Sequence, residues 1–144
     1  MPSVDDFPAA GAVTAVNHDI VTFLPHGTTY ELELAIPGGY AGPLNRRFNC
    51  LIRAKARKVF TTGAGGSFVT PIFGRPRVIQ GRVLYVEDGR IVVRAGVNIV
   101  VELPARDNAI DLERGPIETG SLVNVVAEPG AAMERLAPVA VQSA

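Results

Sequence analysis

Val83-Leu84-Tyr85-Val86-Glu87-Asp88-Gly89-Arg90-Ile91-Val92-Val93 decides the fold class of this 144-residue chain. Two β-branched and aromatic runs, Val83 to Val86 and Ile91 to Val93, flank Asp88-Gly89. That dipeptide suits a tight hairpin turn needing positive φ. A third run, Val97 to Leu103, follows Ala95-Gly96. The pattern recurs nearer the N-terminus as Ala12 to Val16, Ile20 to Leu24 and Tyr30 to Ile36, with Asn17-His18-Asp19 and Pro25-His26-Gly27 as turns. No long window keeps a helical period. The nearest candidate is Ala131 to Leu136, one or two turns after Pro129-Gly130. The chain is therefore expected to be all-β.

Arg47 to Arg57 sharpens the reading. Phe48, Cys50, Ile52, Ala54 and Ala56 fall on one face of an extended strand, and Arg47, Asn49, Arg53, Lys55 and Arg57 on the other, with Leu51 the only apolar exception. Successive side chains of a strand point to opposite faces, so one face packs and the other is wet and cationic. Cys50, on the packed face, reads as a small core residue rather than a nucleophile.

Composition excludes several classes. Apolar residues make up 47% and charge is balanced at 14 basic and 14 acidic residues, which is not a disordered composition. The apolar runs are far shorter than a membrane helix requires. The start, Met1-Pro2-Ser3-Val4-Asp5-Asp6, lacks the basic and apolar regions of a signal peptide. One cysteine cannot form an internal disulfide, so a reducing cytoplasm is the expected compartment.

The two halves resemble one another. Gly11, Val13 and Val16 align with Gly81, Val83 and Val86; Gly27, Glu33 and Leu34 with Gly96, Glu102 and Leu103; Gly42, Pro43 and Ala54 with Gly115, Pro116 and Ala127. The order is a glycine, a hairpin, a third strand, a Gly-Pro loop and a last strand. This order, with the Phe48 to Ala56 tail, resembles the TOBE/Mop type of small β-barrel. The resemblance implies paired OB/SH3-like units that assemble into oligomers holding molybdate or tungstate. The family's Thr-x-x-Ser element has no counterpart at Pro37 to Gly42 or Pro104 to Asp111, and no ligand residue is carried over.

Zero net charge hides a segregation. Residues 1–44 hold five acids and no base, residues 45–86 hold nine bases and no acid, and residues 87–144 hold nine acids and five bases. A basic stretch of this kind attracts an anionic small ligand, an acidic surface or nucleic acid. Alternatively, basic strands pair beside acidic ones, with Glu31 and Glu33 facing Arg53 and Lys55 across a ladder. The ligand candidates are Arg47, Arg53, Lys55, Arg57, Arg75 and Arg77. A sequence pI near 6.7 places nucleic acid behind the other two partners.

Other motifs are weak. Gly63-Ala64-Gly65-Gly66-Ser67 lacks both the following helix and the Lys-Ser/Thr of a P-loop, and reads as a surface loop. His18 and His26 sit at turns without metal spacing. Asp107, Asp111 and Glu113 lack calcium-loop spacing. Neither a catalytic constellation, a metal nor a cofactor is expected.

These readings give an irregular segment 1–10, a first barrel unit 11–62, a Gly-rich loop with connecting strands 63–80, a second barrel unit 81–128, and an irregular or helical tail 129–144. The expected architecture is two related OB/SH3-like barrels of antiparallel meanders sharing a core or oligomerising. The expected function is a non-catalytic binding or assembly module. Single-stranded nucleic-acid binding and a purely structural homo-oligomer are the alternatives.

Overall fold

The computed structural model describes residues 2–105 and 109–136. It is nearly all β, with twelve strands in one mixed sheet: β1 (Ala9–Asn17), β2 (Ile20–Pro25), β3 (Glu31–Ala35), β4 (Phe48–Thr61), β5 (Phe68–Thr70), β6 (Phe73–Gly74), β7 (Val78–Glu87), β8 (Arg90–Arg94), β9 (Asn98–Glu102), β10 (Ile110–Asp111), β11 (Leu122–Ala127) and β12 (Ala132–Arg135). No helix among the described residues is long and apolar enough to cross a membrane.

The strands expected from apolar pattern and turn chemistry are all present. In the hairpins, Asn17 pairs with Ile20 and Glu87 with Arg90, leaving the two-residue loops His18-Asp19 and Asp88-Gly89. Gly89 has φ 75°, a conformation that a β-carbon disfavours.

Backbone pairing closes the strands into two rings that meet on β4. The first runs β1-β2-β3-β12-β4 and returns to β1; the second runs β4-β11-β7-β8-β9 and returns to β4. An up-and-down ring with an odd number of strands must contain a parallel neighbour pair. In the first ring that pair is β3–β12, bridged at Ala35 and Ala132; in the second it is β4–β9, running from Arg53–Val100 to Lys55–Glu102. The meanders β1-β2-β3 and β7-β8-β9 are antiparallel as expected, and these closing pairs make the sheet as a whole mixed.

Each half contributes a strand to the other. The start of β4 pairs with β1 and β12, while its continuation from Ala56 pairs with β11. Reciprocally, β11 lies in the second ring, and the chain passes Pro129-Gly130 to place β12 in the first. The expected boundaries at 11–62 and 81–128 thus cut through ladders that join the halves. The buried side chains of both rings, including Phe23, Leu34, Ile52, Val59, Ile79, Ile99 and Val125, form one contiguous cluster.

Corresponding positions share local geometry. A bulge interrupts the β1–β2 ladder between Val13 and Ala15, and the β7–β8 ladder between Val83 and Tyr85. Gly11 and Gly81 are buried against the partner strand. An added Cβ would land on the carbonyl oxygen of Leu24 at Gly11 and of Arg94 at Gly81.

Two terminal expectations are corrected. Residues 1–10 are not simply irregular: Ser3 caps a 3₁₀ turn, Val4–Asp6, and β1 begins at Ala9. Val4 and Phe7 cover an outer apolar patch of Leu84, Tyr85, Val92 and Val100, with the Phe7 and Tyr85 rings stacked at 5.4 Å. The aligned first-half positions are Thr14, Ala15, Thr22 and Glu31, mostly polar, so only the second half presents this patch. At the other end, Ala132–Arg135 is a strand where a helical turn seemed nearest. Met133 is buried in the core cluster, and four ladder pairs with β4 outweigh the weak local preference of so short a segment. The remainder of the expected tail, 137–144, lies outside the described residues.

Candidate anion-binding cleft

The six basic candidates separate into different environments. Arg53 is neutralised within the fold. Its guanidinium lies 3.0 Å from the Asp5 carboxylate and 3.0 Å from that of Glu134, tying the N-terminal turn and β12 to β4. Burial pulls its pKa down, but the hydrogen bonds to Glu134 and Asp5 outweigh that effect and hold it above the ordinary arginine range. Arg53 is therefore a structural ion-pair centre rather than a free ligand group. The expectation that Glu31 and Glu33 face Arg53 and Lys55 is corrected as well, because β12 stands between β3 and β4. Lys55 lies opposite Glu102 on β9 in the ladder. Arg47 is exposed just ahead of β4.

Arg57, Arg75 and Arg77 come together. They line one cleft of about 460 Å³, whose walls include Pro76, Val126 and Pro129. All three are exposed, and among the described residues none has a carboxylate oxygen within 4.0 Å. The backbone that carries them is fixed. Arg57 lies on β4 beside the β11 ladder. The Arg77 N–H donates to the Thr70 carbonyl at 2.9 Å, and its own carbonyl accepts from the Ala127 N–H at 2.8 Å. Pro76, between the two arginines, is buried. The cleft thus offers three always-charged fork donors on an apolar-walled, anchored frame, an arrangement suited to an anion with several oxygens.

Arg75 and Arg77 also line an adjoining groove of about 390 Å³ with Glu33, Pro71, Phe73 and Gly74. Phe73 is 59% exposed and its neighbour Ile72 42% exposed. The sequence showed Phe73 inside the basic stretch but not that a parallel pairing of β6 with β3 brings it beside Glu33's strand. The cleft walls Val126 and Pro129 were equally hidden, since they follow Arg57 by about seventy residues and reach it only through the β4–β11 ladder.

The other motifs lie apart from this cleft. The Gly-rich loop is tied inward: the buried Gln80 amide donates to the Gly66 carbonyl at 3.0 Å and accepts from Asn124 at 2.8 Å. A Cβ on Gly65 would strike that amide. His18 and His26 are exposed at turns. Among the described residues no group of three or more His, Cys, Asp or Glu side chains is placed to hold a metal; Asp107 lies outside them. Cys50 is fully buried, and burial pushes its thiol up to about 12.

Comparison with models of protein families, with curated proteins and with solved structures found no match to this chain.

Proposed function

We propose that the protein is a non-catalytic binding module, built from two copies of one small barrel-type unit, whose Arg57–Arg75–Arg77 cleft takes a polyvalent anion. The observation that carries this reading is that three exposed arginines, none with an ion-paired carboxylate among the described residues, line one anchored cleft. Like charges held together repel, and a multiply charged anion relieves that repulsion while accepting bidentate hydrogen bonds. The doubled unit is supported by the matched bulges and by the matched close contacts at Gly11 and Gly81.

The TOBE/Mop-like version of this reading has a single tetrahedral oxyanion as ligand. The exposure of all three arginines and the cleft's volume favour a longer anion, because a small oxyanion beside exposed arginines stays largely hydrated. Melting temperature separates the two at equal ionic strength. Tripolyphosphate at millimolar concentration is expected to raise it by several degrees, with molybdate, tungstate and sulfate giving less. A shift with none of these anions overturns the binding reading. A shift with molybdate or tungstate alone restores the single-oxyanion version.

A further inference from the structure

We propose that the natural ligand class is a nucleotide: a phosphorylated compound carrying a flat heterocycle, with phosphates in the three-arginine cleft and the ring in the adjoining groove against Phe73. This inference rests on the anion-binding reading above and names what the anion is attached to.

Arg75 and Arg77 line both the cleft of about 460 Å³ and the groove of about 390 Å³, so the two spaces adjoin across the same pair of side chains. Their chemistry differs. The cleft side adds a third cation, Arg57. The groove side adds an aromatic ring and a carboxylate, since Phe73 and Glu33 share its lining. Among the described residues Phe73 is the most exposed of the large apolar side chains, at 59%, and the exposed Ile72 adjoins it. A ring left in water beside arginines is an open stacking platform, and every nucleobase presents a π face to such a platform.

Glu33 gives the ligand a direction. A Cβ on Gly74 would lie only 4.0 Å from Glu33 Oε2, which places this carboxylate at the groove wall. Carboxylate repels phosphate, so the phosphates are driven to the Arg57 end. A carboxylate is also an acceptor only, matched to the amino and ring N–H donors of a base edge. An acidic peptide would satisfy the arginines but would meet Glu33 unfavourably and leave Phe73 without a stacking partner. Extended nucleic acid is disfavoured because the basic cluster is local and the chain carries zero net charge.

The test is a titration of the intact protein followed by NMR in low-salt buffer, with ATP, GTP, tripolyphosphate and adenosine as probes. Tripolyphosphate carries at least as much charge as ATP, so charge alone ranks it equal or tighter. Stacking instead makes one of the nucleotides bind about tenfold tighter than tripolyphosphate. Phe73→Ala, at an exposed position, is expected to abolish that advantage while leaving tripolyphosphate affinity unchanged. Phe73→Tyr should retain it. The Arg57→Ala/Arg77→Ala variant is expected to lose all the phosphorylated probes. Nucleotides no tighter than tripolyphosphate, or an advantage that survives Phe73→Ala, overturn the nucleotide assignment and leave the anion site standing. Absence of binding by every probe at millimolar concentration overturns both.

Discussion

Arg53 on β4 and Glu134 on β12 meet at 3.0 Å, with Asp5 reaching the same guanidinium at 3.0 Å. This three-member network joins the N-terminal turn, the shared strand and the last described strand. Its members are partly exposed, which limits its worth. Arg53→Met is expected to lower unfolding free energy by about 1 kcal/mol in urea titration. Arg57→Met, which breaks no ion pair among the described residues, should change it by less than about 0.5 kcal/mol. Equal effects for the two would contradict the separation of structural from ligand-facing arginines.

Gly11 and Gly81 hold the same place in their hairpins, each facing a carbonyl oxygen of the opposing strand. Gly11→Ala and Gly81→Ala should each cost roughly 2–3 kcal/mol, because backbone must move to admit the methyl group. Gly89→Ala meets no atom within 4 Å and bears only the positive φ of 75°, so about 1 kcal/mol is expected. Chemical denaturation of the three variants checks the order. A Gly89 variant worse than the other two would refute the close-approach account.

Met133 on β12 is 3% exposed and belongs to the core cluster that spans both rings. Met133→Ala is expected to cost about 2–4 kcal/mol. Because β4 lies in both rings, the loss should appear as one earlier cooperative transition. Circular dichroism and amide-exchange midpoints that separate for the two halves would show instead that the rings unfold independently.

Cys50 supplies a pH test. The thiol rises from 9.0 in a free cysteine to about 12 in the fold because burial removes the solvent that stabilises thiolate. Above pH 9 the unfolded chain therefore releases a proton that the folded chain retains. This contribution to stability is intact below pH 9 and declines as pH rises toward 12. Wild type should lose stability between about pH 8 and 10.5 more steeply than Cys50→Ala, measured by urea midpoints. Parallel curves would show that the thiol ionises freely in the native state.

Much of the fold was legible because hairpins are local. Asp88-Gly89 and the runs around it carry their own turn and pairing signals within a dozen residues. The alternation of Cys50, Ile52, Ala54 and Ala56 announced the buried face of β4 in the same way. The exchange of β4 and β12 between rings was not legible. It depends on ladders between residues far apart, and Ala132–Arg135 is too short to show a period. Charge runs located the basic stretch but not its division, since the partners that neutralise Arg53, Asp5 and Glu134, lie near opposite ends of the chain. Arg57, Arg75 and Arg77 converge for the same kind of reason: β11 runs between β4 and β7.

Isothermal titration of tripolyphosphate into wild type and into the Arg57→Ala/Arg75→Ala/Arg77→Ala variant tests the central claim most directly. Wild type is expected to bind one equivalent, more weakly as salt is raised, because screening shortens the reach of exposed charges. The triple variant should fold, with a melting temperature in buffer no lower than that of wild type, and give no binding heat. Equal binding by the two proteins, or no binding by wild type at millimolar concentration, would contradict the assignment of this cleft as an anion site.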